Sequence, residues 1–193
     1  ESVLINLRYI AGLLGALLIF AAPVWAQDKE EACDSAHWYC VEALNVGLPA
    51  VLSEIDRETP RATMESLVRA VRRDDWVGAA HLLDLSDIRE DRQQQVGTSL
   101  IRQLETVISR KTVIDWDKLL DRPDALDATA TSDRAMAGTP RKSLLLWTLD
   151  MEDYPASIRL NRIKAEDGEP VWVFSRHTVQ NIPRLYERYG PGR

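Results

Sequence analysis

Residues 167–190, DGEPVWVFSRHTVQNIPRLYERYG, carry a turn, a strand and a helix in immediate succession. Asp167-Gly168 reads as a tight turn, because Gly allows the positive backbone angle that a sharp reversal needs. Val171 and Val173 then alternate with Trp172 and Phe174, the period of a strand with large side chains on both faces. Ser175 is placed to cap a helix whose apolar positions are Val179 and Ile182. Pro183 lacks a backbone donor and is expected to break or kink that helix, leaving a second short turn with Leu185, Tyr186 and Tyr189. Gly190-Pro191 is a stop signal.

Upstream, the same period of two recurs. Ser143–Leu149 is an apolar run suited to one strand, and Ile158, Leu160 and Ile163 mark a second before Pro170–Phe174. Three strands with short connections predict an antiparallel meander. Earlier still the period is helical. Thr59-Pro60 pairs a capping residue with the one helical position where Pro is favoured. Met64, Leu67, Val68 and Val71 follow as one stripe, and Trp76, Ala79, Ala80 and Leu83 as another after Asp74-Asp75. So tight a joint predicts a helical hairpin. Arg69, Arg72 and Arg73 lie off the stripe as a solvated face. A third helix is predicted over Gln93–Arg110, with Val96, Leu100, Leu104, Val107 and Ile108 on its buried side. Lys111–Leu120 offers a short strand at Val113-Ile114, and Arg122–Pro140 an exposed loop. Helices first and strands later imply an α+β domain: a hairpin and third helix on one face of a small sheet, then a C-terminal helix pair.

The net charge of -6 narrows the partners. Phosphate binding depends on clustered Lys and Arg, so nucleic acid and anionic lipid are poor fits. Residues 1–26 read as a secretory signal: Arg8, then the apolar run Ile10–Ala22, then Val24 and Ala26 as small residues at a cleavage site. A spanning helix needs roughly 17–25 residues, and this run is shorter, which favours cleavage after Ala26 over an uncleaved anchor. The chain opens on Glu1, so its start is expected to lie upstream. Asp28–Asp56 is mixed, and residues 27–58 read as a variable extension. Cys33 and Cys40 sit in it. In an oxidising compartment a small-loop disulfide is the first reading, free thiols the second. Zinc with His37 between the thiols is the third, and the spacing fits no common zinc pattern.

Catalytic signals are sparse. Beyond His37, the histidines His81 and His177 have no His, Cys or Glu at i+4 that would suggest a metal site. With nine glycines scattered singly, no phosphate-cradling loop is visible. Asp84, Asp87, Asp115, Asp117 and Asp121 offer carboxylates that folding could pair for acid–base work, but among thirty acidic residues such proximity is expected by chance. Trp76, Trp116, Trp147 and Trp172 read as core anchors.

Several short stretches recur together in one known setting: Thr59-Pro60-Arg61-Ala62-Thr63; Ala79–Leu85 (AAHLLDL); Arg102-Gln103-Leu104 with Val107; Arg110-Lys111 with Ile114-Asp115; and Asp167-Gly168, Trp172, Phe174-Ser175, Ile182-Pro183 and Tyr186. In this order they resemble the extracytoplasmic domain that precedes the membrane portion in one branch of bacterial small-conductance mechanosensitive channels. The resemblance spans Thr59–Gly190. It implies a periplasmic, non-catalytic domain, with no cofactor expected and no small-molecule ligand identified. It also implies attachment to the inner membrane through channel helices expected after Arg193, and homo-oligomerisation through that channel portion. A free-standing periplasmic ligand- or protein-binding module is the alternative, and a secreted hydrolase a distant third.

Overall fold

The computed structural model describes residues 35–50, 54–129 and 138–192. The signal reading of 1–26 and the Cys33 half of the predicted disulfide lie outside them. Cys40 lies within β1 (Tyr39–Val41). The architecture is α+β, as the order of periodicities implied. Helices α1 (Pro60–Arg72), α2 (Trp76–Ala80) and α3 (Glu90–Lys111) precede strands β2 (Ser143–Leu149), β3 (Ala156–Ala165) and β4 (Val171–Phe174), and α4 (Arg176–Tyr189) follows.

Local chemistry sets the helix starts. The Thr59 hydroxyl accepts the Ala62 N–H at 3.0 Å, and Pro60 occupies the first turn, where its missing donor costs nothing. Asp75 accepts the Gly78 N–H at 2.8 Å to open α2, and Ser175 accepts the Thr178 N–H at 3.1 Å to open α4. The buried side of α1 is turned relative to its apolar stripe: Thr63 and Ser66 are fully buried, whereas Val68 and Val71 are half-buried. Hydrogen bonding accounts for the rotation. The Thr63 hydroxyl donates to the Trp172 and Thr59 carbonyls, both at 3.0 Å, and Ser66 donates to the Asp56 carbonyl at 2.9 Å. Gly97 lets α3 approach closely, because a Cβ there would stand 2.7 Å from Leu85 Cδ1.

The strands form the expected antiparallel meander, with β3 as its hub. β2 pairs with Ala156–Asn161 and carries a bulge between Leu145 and Trp147, while β4 pairs with Leu160–Ile163. Sequence periodicity missed β1, which adds parallel to Ile163–Ala165 and makes the sheet mixed. Leu82–Asp84 lies against β4: the Phe174 N–H donates to the Leu82 carbonyl at 2.7 Å and the Asp84 N–H to the Phe174 carbonyl at 3.0 Å. The AAHLLDL stretch is therefore the seam between helices and sheet. Around it Met64, Leu82, Leu83, Leu85, Ile101, Leu104, Ile158, Leu160, Trp172, Phe174, Ile182 and Leu185 are sealed from solvent.

Four local expectations are corrected. Pro183 does not split the C-terminal helix: α4 is one element, so the helix pair is a single helix. Removing one backbone bond is outweighed by burying Val179, Ile182 and Leu185 on one side, against α3 and the sheet. Gly168 needs no left-handed backbone, since Gly138 is the positive-φ glycine among the described residues. Its turn closes instead through the Gly168 N–H on the Ala165 carbonyl at 3.2 Å. Val113-Ile114 forms no strand. The segment runs extended without a ladder partner into a 3₁₀ turn at Trp116–Lys118, and Val113 is 84% exposed. Finally, the 122–140 connection is not wholly a surface loop. Ala125 is fully buried at φ 45, and the Pro123 carbonyl accepts the Trp172 indole N–H at 2.8 Å.

Candidate functional site

A cleft of about 590 Å³ opens between β1, β3 and the first turn of α4. Its floor carries Asp84, delivered by the seam after α2 and 3% exposed. One Asp84 oxygen accepts the Ser86 N–H at 3.1 Å and the Ser86 hydroxyl, and the other lies 3.8 Å from Arg176 Nε. Arg176 also donates to Ser86 Oγ at 2.7 Å and reaches Asp87 at 3.1 Å. Gln180 donates to the other Asp87 oxygen at 3.2 Å. The α4 entry is thus strapped to the seam by charge-assisted hydrogen bonds.

The rest of the cleft is rich in donors. Arg159 Nε donates to Ser143 Oγ at 3.0 Å, and His177 Nε2 lies 3.1 Å from the Asn181 amide. Asn161 Oδ1 is buried without a hydrogen-bond partner. Asp84 is a poor candidate general base, because one oxygen accepts from Ser86 twice and the Arg176 guanidinium 3.8 Å from the other favours the ionised, unprotonated form. The Ser86 proton goes to that carboxylate while its oxygen accepts from Arg176, which leaves it no imidazole base to activate it. The arrangement suits the holding of a small polar group more than proton transfer. Among the described residues, no three His, Cys, Asp or Glu side chains are grouped to hold a metal ion, and no helix is long and apolar enough to cross a membrane.

The residues singled out in the sequence lie mostly in the joints of the fold. Thr59 caps α1 and also donates to Asp121 at 3.0 Å, which ties that cap to the segment before the long loop. Trp76 begins α2 with the Arg102 guanidinium 4.8 Å above its ring. Leu83, Leu104, Trp172, Phe174 and Ile182 are core, Ser175 caps α4, and Tyr186 packs half-buried on the core. Asp167-Gly168 and Pro183 are as described above. Of the five carboxylates considered for acid–base work, Asp84 and Asp87 converge on Arg176, Asp115 pairs with Lys118 at 2.8 Å, and Asp121 binds Thr59.

Two buried polar residues escaped the sequence reading. Asn45 is 4% exposed and lies in the left-handed region at φ 59. Its amide donates to the Leu83 and His81 carbonyls at 2.8 and 3.3 Å and accepts the Leu85 N–H at 3.1 Å. Gln93 accepts the Gly47 N–H at 2.8 Å and donates to the Leu85 and Ile88 carbonyls at 3.1 and 3.0 Å. The available signal was Asn45 shortly before Gly47, a pairing suited to unusual backbone.

His81 is the buried imidazole of the helical layer, 6% exposed, with Nε2 2.8 Å from the Pro49 carbonyl. Burial pushes its pKa below the usual histidine value. The Pro49 carbonyl opposes that shift, the Arg57 guanidinium adds to it and Asp75 opposes it. The unfolded chain, with a histidine pKa of about 6.5, therefore takes up this proton first. The contribution is full above that value and is lost as the pH falls below it. Melting of the wild type and His81→Gln between about pH 7 and 5 tests this. The wild type is expected to lose stability more steeply, and parallel curves would contradict the assignment.

Comparison of the chain with protein-family models, with curated proteins and with solved structures returns no match.

Proposed function

We propose that this chain is the non-catalytic periplasmic part of a bacterial mechanosensitive channel, whose membrane portion releases ions and small osmolytes under tension. The reading rests on the ordered sequence resemblance from Thr59 to Gly190. One structural observation supports it: several of the shared residues sit at joints of the fold, although Arg102, Arg110, Lys111, Asp167, Gly168 and Pro183 lie exposed. Thr59 and Ser175 cap helices, Leu83 bridges to Phe174, and Trp172 ties β4 to Thr63 and Pro123. In this role the domain sits outside the inner membrane, the channel portion holds its own subunits together, and the domain biases gating only through contacts that differ between closed and open states.

Osmotic downshock of cells lacking their own channels tests the reading. Expression of the full-length gene is expected to restore survival, and deletion of residues 35–192 to change it. No rescue by the full-length gene would overturn the channel assignment. Rescue unaltered by the deletion would reduce this region to an assembly or stability role. The donor-rich cleft at Arg159, Arg176 and His177 favours a second reading, a free-standing periplasmic binding module. A native gene that ends without apolar segments of roughly twenty residues would favour that reading over the channel.

A further inference from the structure

β2 is an edge strand of unusual composition. One edge pairs with β3, and among the described residues its backbone makes no hydrogen bond to any other segment. Sheet proteins usually blunt such an edge with charge, proline or a cover, since it is a template for another strand. Ser143–Leu149, SLLLWTL, holds neither charge nor proline, and its one irregularity is the bulge after Leu145. The surface beside it is largely apolar, with Asp115, Asp117 and Lys118 as its charged members. A groove of about 780 Å³ runs between the strand and the 113–119 segment, with Val113 84% and Leu145 48% exposed.

The backbone phase shows what the edge offers. The Arg162 N–H bonds to the Lys142 carbonyl at 2.9 Å, so alternate residues of β2 from Lys142 onward face β3, and Ser143 and Leu145 turn their backbone groups outward. Past the bulge, Trp147 and Leu149 register with Ile158 and Ala156, which leaves Thr148 outward.

Charge indicates the occupant. Arg141-Lys142 precedes the strand, and Asp150, Glu152 and Asp153 follow it. Antiparallel apposition with a second copy sets the basic end of each strand beside the acidic end of the other. Parallel apposition would set like charges together. Glu152 and Asp153 have partners in Arg188 and Arg184, but their side chains are 83% and 73% exposed and remain open to a second cation. Arg141 Nε is buried without a partner. We propose that the chain forms a two-fold symmetric dimer by antiparallel pairing of β2 with β2 of a second copy. The two sheets join into one, with Leu145 of each copy covered at the seam.

Sedimentation of the full chain at micromolar concentration tests this, with circular dichroism as the control for folding. The wild type is expected at twice the monomer mass. Leu145→Lys, on an exposed position, is expected to weaken the dimer by about tenfold or more. The pair Arg141→Glu and Lys142→Glu is expected to do the same. Adding Asp150→Lys and Glu152→Lys to that pair is expected to restore the dimer, because the charge pattern is then inverted but again complementary. A monomeric wild type would overturn self-pairing and leave the edge to a strand of another protein. Association that survives Leu145→Lys unchanged would also overturn it, placing the contact elsewhere, such as in the apolar run 10–22.

Discussion

Trp172→Ala is expected to cost this fold about 3–5 kcal/mol, the range for truncating a large buried aromatic. The indole is fully buried, and its N–H holds the Pro123 carbonyl at 2.8 Å. Its backbone accepts from Thr63 at 3.0 Å and donates to the Arg57 carbonyl at 2.7 Å. One residue thus joins β4 to α1, to the segment before α1 and to the long connection. Truncation opens a cavity and strands the Pro123 carbonyl. Trp172→Phe keeps most of the volume and loses the hydrogen bond, so a smaller loss of about 1–2 kcal/mol is expected. Urea titration measures both, and a loss below about 1 kcal/mol for the alanine variant would contradict this placement of the core.

Asn45→Ala is expected to have an effect of similar size for a different reason. Its amide satisfies three backbone groups of the seam, the His81 and Leu83 carbonyls and the Leu85 N–H. A buried group left without its partner costs about 1–3 kcal/mol, so a total near 3 kcal/mol or more is expected. Alanine also fits poorly at φ 59, where an ordinary residue is strained by about 1–2 kcal/mol. Asn45→Gly separates the two contributions: it removes the strain and keeps the loss of hydrogen bonds. The expected order of unfolding midpoints is wild type, then glycine, then alanine. A glycine variant as stable as the wild type would show that the amide contacts contribute nothing.

These two residues mark where the sequence was legible and where it was not. Trp172 announced itself through strict alternation within a short strand, and Thr59-Pro60 and Ser175 through capping chemistry acting over three residues. Such signals are local. Asn45 works through partners from His81 to Leu85, and no local period encodes that separation. β1 was lost for a related reason: three residues carry too little alternation to be seen, and their pairing with Ile163–Ala165 lies far along the chain. As a result, part of the segment read as a variable extension is built into the sheet and the seam. Pro183 shows the opposite failure. Its local rule was sound, but the apolar side of α4 carries the helix through it. In the cleft, Asp84 was one carboxylate among many until folding placed Ser86 and Arg176 on it.

The functional proposal depends on a membrane portion joined to this domain and gated by tension. Patch recording of the full-length gene product in liposomes measures that directly. The account predicts a conductance that opens on suction and whose threshold shifts when residues 35–192 are removed. A protein that stays silent at every tension up to membrane rupture would contradict it.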